Sequence, residues 1–488
     1  MGASSQGADT VADTKPLVLD VDGTFLKTDL LLENFWAGLG RDPLATLAVS
    51  FRHLRQPEKL KAALTGIAPL RTDLMPVNPD IKALAEKSAA RGREVVLASA
   101  SHDSLVKQVA ADHGLSDRVF ASTGEINLKG AAKAGVLVEA YGEQGFDYAG
   151  NAPVDAKVWD HAENVIMVGE QPSVAARLAA KGRNVVTYGG GWRFGDLIKA
   201  LRPHQWVKNV LLLLPLVAAH EFTWAALMPV LVGIIAFSFA ASSIYIVNDL
   251  LDLEADRLHK TKCKRPFAAG TVPIGVGMII AIALGLSSLI LAAALNWAFL
   301  GIVVLYIATS LAYSLKLKRM RWVDIVVLAS LYTIRVVAGA AAGEVAITSA
   351  MLVFVFPVFI TLGCVKRITE LAKAEDDERL PGRGYGRPDR HDLLNVAGIG
   401  VFGALLIFFI YTLSPEAKTL YPDRWLLWAA MPFLAHWLIR MVRIGWQGKM
   451  DYDPIVFAAR DRVGLGVMLF TLSLMFWAAK LWQEWFGG

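Results

Sequence analysis

In the stretch IYIVNDLLDLEADRLHKTKCKRPFAAG, Ile244–Gly270, an apolar run closes on Asn248, Asp249, Asp252 and Asp256. Five cations follow at once: Arg257, Lys260, Lys262, Lys264 and Arg265. If the helix continues, Asp249 and Asp252 are i, i+3 and Asp252 and Asp256 are i, i+4. Asp249 and Asp256 then differ by only about 20° around the axis. Three carboxylates on one face repel one another unless cations sit between them. Magnesium shared between carboxylates and the oxygens of a diphosphate would relieve that repulsion. The same residues could instead form a solvated acidic helix end, balanced by the basic run.

A second pair of carboxylates lies in LVLDVDGTF, where Asp20 and Asp22 close a buried strand ahead of Gly23 and Thr24. Residues two apart on an extended chain point to the same side, so both could reach one cation or phosphate. Strand ends are where α/β sheets place ligands. Other polar groups interrupt the apolar runs. Tyr313, Lys316, Lys318 and Arg319 end one, and Asp324 opens the next. Arg335 lies eleven residues beyond Asp324, about three turns, so the two share nearly one helix face with Tyr332 beside them. A mid-span arginine costs roughly 2.5–3.5 kcal/mol on insertion scales, so it should face an interior cavity, or be tied to a buried carboxylate or carbonyl. Lys366, Arg367 and Glu370 share a turn, followed by Arg383, Tyr385, Asp389 and Asp392. With Arg202, Lys208, Asn209, Asp453, Asp461 and Arg462, they give one membrane face many partners for phosphate.

The elements that must position these groups fall into two halves. The 488 residues are 55% hydrophobic, with mean hydropathy +0.43, a net charge of +5 and 14 Trp. That is too apolar for an ordinary soluble enzyme. Apolar runs of spanning length recur at 209–220, 226–247, 274–294, 297–315, 323–343, 349–366, 394–414, 425–442 and 465–485. Alternate loops hold five, four, seven and five Lys and Arg, whereas the opposite loops hold only Lys418 and Arg424. By the positive-inside rule, the Asp-rich segment and the N-terminal half are cytoplasmic. Cys263 and Cys364 offer neither a disulfide nor a metal spacing, and the first residues lack the apolar core of a signal peptide.

In the N-terminal half, KPLVLDVD, REVVLASAS, DRVFAST, FDYAGN, NVIMVG and NVVTYG read as strands alternating with helices, which implies a parallel sheet covered on both faces. Roughly residues 25–90 form a helical insert able to cap a site. The boundary falls near YGGGWRFGDLIKALRPHQW. The expected organisation is a disordered terminus at 1–14, an α/β domain over 15–193 and an all-α membrane domain of about nine transmembrane helices over 194–488.

Asp20–Thr24 resembles the first motif of the haloacid dehalogenase (HAD) phosphatases, and the likeness runs over roughly residues 15–190. It implies a Rossmann-type HAD-like fold with a helical cap. Ser99 matches that family's phosphate-binding hydroxyl, Lys133 its lysine better than Lys129 does, and Asp155 its second acidic motif. Asn151 stands where the family usually has an acid. The resemblance implies that Asp20 attacks phosphorus, Asp22 serves as acid and base, and magnesium binds among Asp20, Asp22, Asn151 and Asp155. A fold retained with its chemistry lost is the alternative.

NDLLDLEAD resembles the NDxxDxxxD motif of the UbiA superfamily of intramembrane prenyltransferases, over roughly residues 195–488. RPHQWVKN, YSLKLK, LYTIRVVAGA, KRITEL and DPIVFAARDR resemble its decaprenyl-phosphate phosphoribosyltransferase branch. That branch implies phosphoribosyl diphosphate (PRPP) as donor and a polyprenyl phosphate as acceptor. Asp249, Asp252 and Asp256 would hold magnesium on the diphosphate with Asn248 in support. Tyr313, Lys208, Lys316, Lys318, Lys366 and Arg367 would bind substrate phosphates, and Arg335 or Arg202 the lipid phosphate. The superfamily's more common chemistry, prenyl transfer from a prenyl diphosphate to an aromatic or other small acceptor beside a non-catalytic HAD-like domain, is the alternative. The superfamily's second Asp-rich motif is not clean here, because Asp376, Asp377, Asp389 and Asp392 lack DxxxD spacing. An enzyme of the cytoplasmic membrane is expected, with its HAD-like domain and site mouth cytoplasmic, no nucleic-acid partner, and an open oligomeric state.

Overall fold

The computed structural model describes residues 15–374, 377–380, 383–450 and 453–487. The expected disordered terminus at 1–14, together with Asp376, lies outside the described residues. Contacts divide the chain into two units: residues 1–200 with 249–279, and residues 201–248 with 280–488.

In the first unit, strands β1 (Leu17–Leu19), β2 (Val95–His102), β3 (Val119–Ser122), β4 (Asp147–Gly150), β5 (Asn164–Val168) and β6 (Asn184–Tyr188) form one sheet in the order β3-β2-β1-β4-β5-β6. All neighbours pair in parallel. Each strand falls in one of the six apolar stretches that read as strands. The period of two divides β1 between two cores. Leu17 and Leu19 pack with Val95, Leu97 and Ile81, while Val18 packs with Tyr148, Trp159 and Val165 on the other face. The order reverses beside β1, the switch point at which such sheets bind ligands, and Asp20 follows directly.

The insert after β1 forms helices Leu30–Arg41, Pro43–Arg52 and Pro57–Thr65. Asp29 and Asp42 cap the first two by accepting from Leu32 N and Ala45 N, and Pro43 and Pro57 start theirs, where no amide donor is missed. Lys61 Nζ ties the third helix to Ala100 O and Asn127 Oδ1 at 2.5 and 2.9 Å. Helix Pro79–Ala90 buries Ile81 and Ala85 on its way to β2. Segment 249–279 packs within this unit. Arg257 makes a two-pronged contact with Glu33, Nη2–Oε1 2.5 Å and Nη1–Oε2 3.1 Å, with both side chains buried. Gly270, at φ +65°, is essential there, because a Cβ would lie 2.6 Å from Lys27 Cβ.

Among the described residues, seven helices are long and apolar enough to cross a membrane: Trp224–Leu251, Ile274–Leu295, Trp297–Leu315, Val323–Gly343, Ser349–Ala372, Arg390–Leu413 and Trp425–Trp446. Arg462–Ala478, with 17 residues, is an apolar helix just under that length. The stretch 209–220 does not form a span of its own. It divides between a 3₁₀ segment, Pro203–Leu213, and the short helix Leu214–Ala219. The 3₁₀ segment passes so close to helix Val323–Gly343 that a Cβ on Gly339 would fall 1.9 Å from Leu212 O. The small residues at 339–343 therefore serve close packing, as their spacing suggested.

Candidate active sites

In the α/β unit, Asp20 leaves β1 with its amide donating to Ala149 O at 2.9 Å. Lys133 comes from helix Ala131–Tyr141, and its buried ammonium donates to Asp20 Oδ1 (2.6 Å), Tyr148 Oη (2.9 Å) and Ala98 O (3.2 Å). Tyr148 Oη donates to Asp155 Oδ1 at 3.1 Å, and Asp155 Oδ2 accepts from the amides of Asn151 and Ala152. Asp22 Oδ2 accepts from Ser99 Oγ and Ser101 Oγ, and its Oδ1 from Leu30 N. The Asn151 amide packs against the turn at Gly23, where φ is +77° and a Cβ would lie 2.2 Å from Asn151 Nδ2. Asp20, Asp22, Ser99, Lys133, Asn151 and Asp155 therefore occupy one end of the sheet. Lys129 is exposed, and Lys133 takes the buried position.

Burial pushes the Asp20 carboxyl up to about 7, against the pull of Lys133. Burial also opposes the charge on Lys133, but Asp20 and Asp155 outweigh it and hold the ammonium above its ordinary value. Asp29 is pushed up to about 6, first by burial and then by the charge of Asp22. Two further participants, Ser101 and Tyr148, are not among the residues that the sequence motifs single out. Ser101 was readable as the residue two beyond Ser99, hence on the same side of an extended strand. Tyr148 looked like ordinary strand core, and only the fold shows its hydroxyl between Lys133 and Asp155. The oxygen donors of Asp20 and Asp155 suit a hard cation, and Asn151 adds an uncharged one.

The Asp-rich segment departs from the continuous helix expected of it. Helix Trp224–Leu251 stops, Asp252 takes φ −103° and ψ 15°, and a short helix, Leu253–Leu258, begins. The break at Asp252 invalidates the single-face geometry of an unbroken helix. Asp256 N still donates to Asp252 O at 2.8 Å, so the chain resumes helix within the turn. Asp249 and Asp256 nevertheless converge, because Arg265 Nη1 donates to Asp249 Oδ1 at 3.2 Å and to Asp256 Oδ2 at 2.6 Å. Among the described residues no group of three or more His, Cys, Asp or Glu could hold a metal ion. Two carboxylates around one cation still fit magnesium, which commonly takes one or two carboxylates and fills its sphere with water and substrate phosphate. In the sequence Arg265 stands out only as one of five cations. Asn248 is half-buried ahead of this segment.

The second unit holds three buried polar clusters. Asp453 Oδ2 meets Lys208 Nζ at 2.9 Å and Lys366 Nζ at 3.2 Å, and Tyr332 Oη donates to the same carboxylate at 2.8 Å. Arg335 donates to Asn209 Oδ1, Leu331 O and Tyr306 Oη, so it is held by a carbonyl and neutral side chains rather than by Asp324. Asp324 instead takes both prongs of Arg367 and the hydroxyl of Tyr313. Arg367 also bonds Glu370 and is fully buried, so Tyr313 and Arg367 are committed to an internal network. Arg202 lies over the Tyr245 ring at 5.4 Å. Lys318 is buried, while Lys316 is exposed at the end of helix Trp297–Leu315.

The sequence matches the UbiA prenyltransferase family over residues 210–461, more than half of the chain. The chain belongs to the UbiA prenyltransferase family. The UbiA match takes in Asn248, the three aspartates, Arg265, Arg335, Lys366 and Asp453, and it excludes the α/β sheet. The uncharacterised protein y4nM of Sinorhizobium fredii is 30% identical over 94% of this chain and 90% of its own length, so the likeness extends through the α/β half. The decaprenyl-phosphate phosphoribosyltransferase of Mycobacterium tuberculosis is 33% identical over 57% of this chain and 93% of its own length. Among solved structures, a HAD family hydrolase from Salmonella enterica serovar Typhi is similar, with TM-score 0.27 and 18% identity, over 36% of this chain and 70% of that one.

Proposed function

We propose that this UbiA-family protein transfers a 5-phosphoribosyl group from PRPP to a polyprenyl phosphate, and that its HAD-like domain removes the 5-phosphate from the product. The observation that carries the reading is the 33% identity to decaprenyl-phosphate phosphoribosyltransferase over nearly all of that relative's length. The buried cations in the second unit support it. Lys208 and Lys366 share the single carboxylate of Asp453, and Arg335 is bonded to Asn209, Leu331 O and Tyr306, a surplus of positive charge suited to a phosphate.

In the reaction, the anomeric carbon–oxygen bond to pyrophosphate breaks as an oxygen of the lipid phosphate bonds to that carbon. Magnesium held by Asp249 and Asp256, with Asp252 and Asn248 in support, would supply charge neutralisation of the departing pyrophosphate. Arg265 would pass from the two carboxylates to the phosphate oxygens. Lys208, Lys366 and Arg335 would bind phosphate, with Lys316, Lys318 and Arg202 as further cations for substrate. A phosphate monoester already bears negative charge at neutral pH, so the acceptor needs no strong general base.

In the HAD-like domain, Asp20 would attack the 5-phosphate to give an aspartyl phosphate while Asp22 protonates the departing ribose oxygen; Asp22 would then take a proton from water, whose attack on phosphorus releases inorganic phosphate and frees Asp20. Lys133 would balance the charge on Asp20, and Ser99 would hold the phosphoryl oxygens. Magnesium at Asp20, Asp155 and Asn151 would share that charge. The basic loops support a reading in which the HAD-like domain and the Asp-rich segment face the cytoplasm from the inner membrane.

Prenyl transfer to a small acceptor is the second reading, favoured by the family match itself. Purified protein given labelled PRPP or labelled prenyl diphosphate, each with lipid and aromatic acceptors, separates the two. Label passing from PRPP into lipid supports the first, and a prenylated aromatic product would replace it with the second.

A further inference from the structure

The cap carries a surface that neither proposed reaction uses. Helix Pro43–Arg52 buries only Thr46. Its outward residues Leu44, Leu47 and Phe51 are 80%, 48% and 86% exposed, and Leu54 in the following turn is 73% exposed. At 100° per residue the three helical side chains fall within an arc of about 60°. A lone exposed leucine is ordinary, but four large apolar side chains aligned on one surface mark a contact. Arg41, Arg52, Arg55 and Lys59 flank the stripe and are also exposed, whereas the same stretch holds only two carboxylates, Asp42 and Glu58. Asp42 is engaged as the helix cap.

We propose that helix Pro43–Arg52 is an in-plane anchor that lays its apolar stripe into an anionic lipid surface. An apolar stripe edged by Arg and Lys is the pattern of interfacial helices, in which the side chains enter the acyl boundary and the cations meet headgroup phosphates. The described residues already include seven helices long and apolar enough to span a bilayer, so a lipid surface belongs to the surroundings of the chain. A second copy is the weaker candidate, because two-fold pairing of this face would set its own cations against one another. The Asp42 cap and the proline at the first helical position hold the helix without any partner. Anchoring the cap would keep the Asp20 network close to phosphate borne on a lipid.

The test uses the full-length protein in lipid nanodiscs, with Cys263→Ser removing the accessible thiol and Cys364 left buried. A nitroxide is placed on Phe51→Cys, and on the exposed Asp117→Cys as a water-facing reference. In phosphatidylglycerol bilayers, the label at position 51 becomes more accessible to oxygen than to a water-soluble nickel chelate, while the label at 117 stays accessible to nickel. Adding Arg52→Gln and Arg55→Gln, or using phosphatidylcholine alone, shifts position 51 toward water. Equal nickel accessibility at both positions in phosphatidylglycerol would overturn the proposal. So would depth unchanged by lipid charge, or dipolar broadening between labelled copies, which would assign the face to a second chain.

Discussion

Lys133 sets the chemistry of the α/β site at the scale of single residues, because its one ammonium meets Asp20 and lies 4.0 Å from Asp155. The linkage to pH follows from the raised Asp20 carboxyl. The folded protein keeps a proton on Asp20 that the unfolded chain releases near pH 4. The resulting stability is therefore fully present below about pH 4 and is lost as pH rises toward 7. In magnesium-free buffer, the melting temperature of the wild type should fall relative to Asp20→Asn across that window, as thermal scans at stepped pH would show. A difference that does not change with pH would refute the assignment. In the membrane unit, Asp453→Asn leaves Lys208 and Lys366 without their carboxylate, and breaking a buried pair this way typically costs about 3–5 kcal/mol. A lowered melting temperature, restored in part by added inorganic phosphate, is the expected result. Asp20 and Asp22 were legible because they close the first apolar strand, and Ser99 was legible only through the HAD resemblance. The pairing of Asp324 with Arg367 was not legible, since helical spacing along one segment pointed to Arg335 and cannot reveal a neighbouring helix.

The strands announced themselves as elements, for each buried strand is a short apolar run bounded by turns. The Asp-rich helix is the counterexample. Its i, i+3 and i, i+4 spacing suggested one continuous helix, yet the backbone leaves helical geometry at Asp252, and Asp249 and Asp256 meet through Arg265. Arg257 is fixed by Glu33 from a cap helix 224 residues away, a contact that no local pattern encodes. Glu33 also accepts from Thr28 Oγ1 at 2.6 Å, so the turn after Asp22 and the helix bearing Asp256 are held by one carboxylate. Glu33→Gln should therefore destabilise the α/β unit by about 3–5 kcal/mol, the usual cost of an unpaired buried charge. It should also speed amide exchange across residues 253–270. The swapped pair Glu33→Arg with Arg257→Glu should recover part of that protection, and exchange rates identical to wild type in the single variant would contradict the link.

Across the whole molecule, composition separates the polar α/β half from the apolar half, but it does not foresee that residues 249–279 pack with the sheet-bearing unit. A segment bounded by two membrane-length helices reads as a membrane loop, and only tertiary contacts reveal its docking on the cap. One chain thus carries a UbiA-family domain and an α/β domain in which Asp20 is bonded to the buried ammonium of Lys133. The proposed reactions run in sequence, because phosphoribosyl transfer creates the phosphate monoester that the second site would hydrolyse. The most direct measurement is mass spectrometry of a polyprenyl phosphate incubated with PRPP, magnesium and purified protein. The wild type should give a ribosyl lipid, Asp20→Asn a lipid that retains the 5-phosphate, and Asp249→Ala no product. A lipid whose mass is unchanged by the wild-type protein would contradict the account.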